Sequence, residues 1–272
     1  MTNTVITLDL QTVQQDAMDM ARQAAPILMK HFGGPLRKSF KGSSIDVVTQ
    51  ADQESEALLV ELIQQHYPIH HIVGEEGGGL GADVETADYR WYVDPLDGTT
   101  NFANGIPMFC ISLALTDANL NPLVGVVYDP VADEMFTAVR GMGATMNDKP
   151  LTVSASTTLQ ECVLGSGFAY DKHTNPDNNA KEWGTFVTKV RGVRRMGAAA
   201  LDLCYVAAGR FDGYWERGPQ SWDCLAGALC VLEAGGAISD YQGGTDPSLY
   251  EKSHIVASNG HIHPLMLDVL NQ

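Results

Sequence analysis

The stretch that most constrains this chain is "WYVDPLDGTTNF", residues 91–102. An apolar, strand-like run from Trp91 to Val93 ends in Asp94. It passes the stiff ring of Pro95, meets a second acid at Asp97, and is followed at once by Gly98 and two threonines. Pro, Asp and Gly all form turns, so the segment by itself also fits a strand followed by an ordinary turn. If "GTTNF" instead opens a helix, the free N–H groups of Gly98 and Thr99 point at an anion beside two carboxylates. Thr99 adds a hydroxyl that can hold or deprotonate a water.

The flanking sequence alternates helical and strand patterns. Apolar residues at helical spacing (Val13, Ala17, Met20, Ala24, Ile27, Leu28) predict a helix from about Leu10 to Phe32, ended by Gly33-Gly34, with Pro26 expected to kink or interrupt it. A second helix is expected from Asp52 to Tyr67. "HHIVGEE" and "WYVDP" read as short strands that deliver acids at their C-terminal ends. "FCISLAL", "PLVGVVYD" and "DEMFTAVRG" suggest a mostly antiparallel sheet. Beyond them, "CVLGSGF" and "FDGYWE" read as strands, and "MGAAALDLCYVAAG" and "WDCLAGALCVLEAGG" as helices. Helices laid on at least two sheets give a layered α/β or α+β architecture. Residues 1–272 are read as a single unit, with possible subdomains 1–150 and 151–272.

Composition narrows the function. The 272 residues carry a formal charge of −16, with no basic stripe to neutralise phosphates, which argues against a nucleic-acid surface. No apolar stretch is long enough for a membrane span, and the first residues lack a signal-peptide pattern, so a cytoplasmic location is expected. The five cysteines form no CxxC pair and read as reduced, small apolar residues.

The remaining signal is the placement of acids. Glu75 and Glu76 follow a strand in the glycine-rich "GEEGGG", expected to be a loop. Asp94 and Asp97 flank Pro95, and Asp223 falls in the first turn of a helix, where a dipole interaction would also explain it. Gathered together, such carboxylates and the Leu96 carbonyl would form an all-oxygen donor set suited to Mg²⁺. More than one ion would be needed to offset their mutual repulsion.

These motifs, "DVVTQADQESE", "GEE", "DPLDGTTNF" and "SWDCLAGALCVLEAGG", resemble the inositol monophosphatase family of Mg²⁺-dependent, Li⁺-sensitive phosphatases over nearly the whole chain. The resemblance implies the five-layered αβαβα sugar-phosphatase fold, a homodimer, and two or three Mg²⁺ ions. It implies hydrolysis of a small phosphate ester, inositol 1-phosphate, by direct attack of a metal-activated water, with neither nucleic acid nor membrane as partner. By the same resemblance, Glu75, Asp94 and the Leu96 carbonyl hold the first ion, and Asp94, Asp97 and Asp223 the second. Glu75 also helps a looser third, while Glu76 is a neighbour. Asp52 pairs with Thr99, and with Glu75 this pair activates the water. Gly98 and Thr99 receive the phosphate. Gly197, Ala198 and Ala199 line the leaving group, and Glu216 binds its hydroxyls. Lys41 aligns with a family lysine on a loop near the metals and reads equally as a solvated loop residue.

Two positions depart from the family pattern: Asn104, where many members carry His, and Ala198, where they carry Ser or Thr. Neither removes a metal ligand; both bear on the leaving group. Histidinol phosphate, fructose 1,6-bisphosphate and nucleotide 3′-phosphates are therefore rival substrates, and a regulatory binding module without catalysis is the rival from another class. The "HYPIHH" histidines are expected on the surface or in loops, and Trp222 is expected to pack.

Overall fold

A computed structural model of the chain describes residues 8–34, 38–40, 47–169, 171–251 and 254–272. Lys41 lies outside the described residues. Helix α1 (Leu10–His31) starts where Asp9 caps the Gln11 N–H, and it buries an alanine-rich face of Ala17, Ala21, Ala24 and Ala25. Of the kink or interruption expected at Pro26, the interruption does not occur: the helix runs on through it to His31. Proline removes one backbone donor, and the packing of the helix face offsets that loss. Strands β1 (Lys38–Phe40) and β2 (Val47–Thr49) pair antiparallel and lead into α2 (Gln50–His66).

The next elements build an eight-stranded sheet. They are β3 (His71–Gly74), β4 (Gly78–Gly81), β5 (Tyr89–Asp97), β6 (Cys110–Asp117), β7 (Pro122–Asp129), β8 (Glu134–Val139), β9 (Gly143–Met146) and β10 (Lys149–Pro150), with the one-turn helix α3 (Thr99–Ala103) after β5. The strand order is β10-β9-β8-β7-β6-β5-β3-β4, and every neighbouring pair is antiparallel except β3 with β5. The expected antiparallel run of β6, β7 and β8 is observed. The "GEEGGG" segment is a loop only in part, since Gly78–Gly81 returns as β4 on β3.

The second sheet has the order β12-β11-β13-β15-β14, from β11 (Val163–Ser166), β12 (Gly192–Arg194), β13 (Gly213–Arg217), β14 (Ala237–Ser239) and β15 (His254–Ser258). Helices α4 (Ala180–Val187), α5 (Ala199–Ala207), α6 (Ser221–Glu233) and α7 (His263–Leu270) complete the described chain.

The period-two alternation of side chains sorts these elements into layers. Trp91 and Val93 of β5 pack with α1 and α2, while Tyr92 between them packs with α5 and α6 on the other face. In the second sheet Tyr214 and Ala257 also face α5 and α6, whereas Trp215 and Val256 face α4 and α7. The result is the αβαβα stack, with α5 and α6 sandwiched between the sheets. Their separation is fixed by Gly227 of α6, where an added Cβ would lie 2.6 Å from Leu203 Cβ and 2.9 Å from the Ala200 carbonyl.

Candidate active site

The acids converge because β5 is irregular at one point. Its pairing with β6 runs regularly to Asp94 opposite Ser112, then resumes with Asp97 opposite Cys110. Three residues on β5 thus span two on β6, a bulge with one extra residue. In a regular strand, residues three apart face opposite sides of the sheet; the bulge returns Asp97 to the side that Asp94 faces. Pro95 suits the site because it has no N–H to lose from the ladder. Local bonds hold the irregular backbone: Leu96 N–H donates to Asp94 Oδ1 at 2.9 Å, and Ser55 Oγ donates to the Pro95 carbonyl at 3.3 Å.

Gly98 follows with φ of 96°, a left-handed conformation that glycine adopts without steric cost, and it starts α3. Thr99, the first helical residue, points its hydroxyl between two acceptors, the Leu96 carbonyl at 3.0 Å and Asp52 Oδ1 at 3.2 Å. Asp52 is fully buried at the start of α2. Its other oxygen, Oδ2, accepts from the Thr49 N–H at 2.9 Å and from the Thr49 hydroxyl, closing a capping box.

Glu75 comes from the end of β3, which lies parallel to β5 with Gly74 opposite Val93, so Glu75 stands beside Asp94. Asp223 comes from the first turn of α6, where it accepts the Gln220 N–H at 2.7 Å. Asp97 Oδ2 accepts the Ala200 N–H at 2.7 Å and the Cys110 thiol at 3.6 Å, pinning the start of α5 to β5. Asn101 adds a second tie, donating from Nδ2 to the carbonyls of Met108 and Met196.

A cavity of about 610 Å³ opens over these residues. Glu75, Asp94, Leu96, Asp97, Gly98, Thr99, Gly197, Ala198, Ala199, Glu216 and Asp223 all line it. Of the candidate residues only Asp52 stands behind the wall, reached through Thr99. Glu76 and Asn104 do not border the cavity; the Glu76 N–H is taken by Glu56 Oε2, and Asn104 is exposed and caps the Thr100 carbonyl. Ala198 does border it and is buried.

Electrostatics make the cluster costly as it stands. Burial, with repulsion from Glu75, Asp97 and Asp223, pushes the Asp94 carboxyl well above its ordinary range. Asp223 is driven the same way by burial, Asp97 and Glu75. Asp97 is pushed up to about 7 by burial against the opposing bond from Ala200, and Asp52 to about 6 by burial against its bonds to Thr49. Among the described residues, no group of three or more His, Cys, Asp or Glu side chains is placed, as it stands, to hold a metal ion. The donor set nonetheless fits Mg²⁺. It is all oxygen, and four mutually repelling carboxylates gain most from a divalent cation among them.

At the far end of the cavity, Glu216 of β13 accepts from the Tyr214 hydroxyl and lies against Gly167, where any Cβ would collide with it. Sequence reasoning missed three neighbours that also line the cavity: Arg195, Lys172 and Asp202. Arg195 was visible two residues before Gly197. Lys172 had no local signal, and Asp202 read as one more residue of a buried helix.

The "HYPIHH" expectation of surface or loop residues fails at His71, which opens strand β3, while His70 lies in the connection before it but is buried. Trp91 Nε1 donates to its Nδ1 at 3.1 Å, Tyr67 stacks on it at 5.0 Å, and burial lowers its pKa to about 4. Trp222 packs on the central core, as expected. All five cysteines are free and buried.

Comparison with known proteins agrees with this geometry. The inositol monophosphatase family matches residues 9–272. An inositol-1-monophosphatase from Synechocystis is 42% identical over 255 residues, covering 94% of this chain and 87% of that protein. A protein named Nus factor SuhB from Pasteurella multocida is 41% identical, covering 94% and 93%. The solved inositol monophosphatase of Anabaena superposes with a TM-score of 0.87 at 41% identity, covering 97% of each chain. The chain belongs to the inositol monophosphatase family.

Proposed function

We propose that the protein is a Mg²⁺-dependent phosphate monoester hydrolase acting on inositol 1-phosphate. The observation that carries this reading is the convergence of Glu75, Asp94, Asp97, Asp223, Thr99 and Glu216 on one cavity. Glu75, Asp94 and the Leu96 carbonyl would hold one ion, Asp94, Asp97 and Asp223 a second, and Glu75 a looser third. When bound, Mg²⁺ supplies Lewis-acid stabilisation of the charge on the transferring phosphoryl group.

The chain's own residues orient the reaction. Thr99 Oγ1 donates to Asp52, which leaves its lone pairs to accept from the attacking water. Glu75 borders the cavity directly and takes that water's proton. Gly98 and Thr99 present N–H groups to the phosphate, and Glu216 with the Gly197–Ala199 backbone receives the leaving group. Asp94 and Asp97 are already bonded to Leu96 and Ala200 N–H groups, which favours direct attack by water over a phosphoenzyme. The bond from Asp97 to Ala200 also supports reading residues 1–150 and 151–272 as one working unit. A cytoplasmic homodimer is the assembly that the family resemblance implies.

The test is phosphate release from inositol 1-phosphate, histidinol phosphate, fructose 1,6-bisphosphate and adenosine 3′,5′-bisphosphate, with Mg²⁺ and with chelator. Inositol 1-phosphate should lead in kcat/KM by about tenfold or more, about 1.4 kcal/mol of transition-state preference; a different leader reassigns the leaving group. A Nus factor role, the name carried by several relatives, is the second reading. An Asp94→Asn variant that loses turnover and keeps that role would separate the two readings.

A further inference from the structure

Most buried carboxyls around the cavity have an assigned hydrogen bond. Asp52 is held by Thr49, Asp94 by the Leu96 N–H, Asp97 by the Ala200 N–H, and Asp223 by the Gln220 N–H, while Glu216 accepts from Tyr214. Asp202 is the exception. It lines the same cavity, is only 2% exposed, and its Oδ1 is enclosed without any hydrogen-bond partner. A buried, unmatched acceptor is rare in a native protein and calls for a missing partner.

The position of Asp202 in the first turn of α5 does not satisfy it. The Ala200 N–H at that helix start is spent on Asp97, and the Asp202 N–H is spent on the Ala198 carbonyl. Burial, then the charges of Glu216 and Asp97, oppose ionisation of Asp202, and Arg195 favours it. Lys172 lies on the Glu216 side of the cavity and, like Arg195, favours the charged form of Glu216. Two carboxyls and two cations thus line this part of the cavity, within the field of Asp97.

We propose that Asp202 is a specificity-determining residue whose free carboxyl oxygen, together with Glu216, accepts hydrogen bonds from a leaving group carrying neighbouring hydroxyls. The substrate class is the phosphate monoester of a neutral polyol or cyclitol. Arg195 and Lys172 set two positive charges beside the two acids, so an ammonium or imidazolium leaving group meets repulsion there as well as attraction. The wall offers acceptors, which hydroxyls satisfy. This inference rests on the hydrolase reading above and adds to it a residue that selects the alcohol.

The test compares the wild-type protein with Asp202→Ala and Asp202→Asn on two esters in Mg²⁺: inositol 1-phosphate, and 4-nitrophenyl phosphate, whose leaving group has no further hydroxyl. Asp202→Ala should lower kcat/KM for inositol 1-phosphate by about tenfold or more, mostly through KM, and leave 4-nitrophenyl phosphate within about twofold. The near-isosteric Asp202→Asn, which keeps one acceptor, should fall between; it carries the comparison if the alanine variant does not fold. Equal losses on both esters would show a structural role and overturn the subsite alone, as would no loss on either. A clear wild-type preference for histidinol phosphate over inositol 1-phosphate would also overturn the neutral-polyol assignment. Wild-type protein inert toward all these esters would instead overturn the hydrolase reading, and the subsite with it.

Discussion

The Thr99 hydroxyl stands 3.2 Å from Asp52 Oδ1, joining the first residue of a one-turn helix to the buried first turn of α2. Asp52 is itself immobilised, because its second oxygen closes the capping box with Thr49. The Thr99 hydroxyl is therefore oriented between the neighbouring Leu96 carbonyl and the start of a distant helix.

If that pair orients the attacking water, Thr99→Ala and Asp52→Asn should each lower kcat by about 10²–10⁴-fold with little change in KM. The double variant should lose scarcely more than either single one, since the two residues act as one unit. Thr99→Ser should keep most of the rate. Steady-state kinetics on the four variants would check this; additive losses would mean that the two residues act separately.

Asp94→Asn should separate stability from activity. It removes one of four repelling carboxylates, so the metal-free variant should melt higher than metal-free wild type. The rise in melting temperature on adding Mg²⁺ should shrink or vanish, and turnover should fall on the order of 10²–10³-fold or more, as when a stabiliser of transition-state charge is lost. Thermal melts with and without Mg²⁺, beside a phosphate-release assay, read all three quantities.

Metal-free stability should depend on pH through Asp52 and Asp97. Burial raises their folded values to about 6 and about 7, against 3.8 for an ordinary aspartate. The folded chain therefore holds protons that the unfolded chain has released. The stability they contribute is complete below 3.8 and is lost as pH rises through about 6 and 7. His70 works in reverse: its folded value of about 4 lies below 6.5, so its contribution is lost as pH falls through that window. Denaturant midpoints in chelator at several pH values, compared between wild type and Asp97→Asn, isolate the aspartate part. The variant should show the shallower fall.

Gly227→Ala should destabilise the protein by about 1–3 kcal/mol, the usual cost of overpacking a filled interior. The new methyl would press on Leu203 and the Ala200 carbonyl and force α5 and α6 apart. Because these helices carry Ala199 and Asp223 to the cavity, KM should rise as well. Urea denaturation and kinetics on the same preparation would test both effects.

Much of this molecule was legible in the sequence. The long helices, the antiparallel run from β6 to β8, and the placing of Glu75, Asp94, Asp97 and Asp223 all follow from apolar periodicity and from where acids interrupt it. The bulge between Asp94 and Asp97 was not legible. Pro95 signals a break in the strand, but the residue count on the partner strand decides which side Asp97 faces. The burial of His70 was also hidden, because a polar residue in a His-rich segment gives no sign that Trp91 will supply its donor. Arg195, Lys172 and Asp202 were missed for a related reason. Lys172 comes from a separate segment, and although Arg195 and Asp202 flank Gly197–Ala199 in one stretch, nothing local shows that their side chains turn to the cavity.

The bond from the Ala200 N–H to Asp97 has a consequence for biosynthesis. A nascent chain that has emerged as far as Pro150 already carries Glu75, Asp94, Asp97 and Thr99, but neither the amide that restrains Asp97 nor Asp223 has yet been made. Long-range closure of this kind comes late in folding. In the early half these repelling acids are therefore an unrestrained patch, and the proposed site is complete only when α5 and α6 close over it.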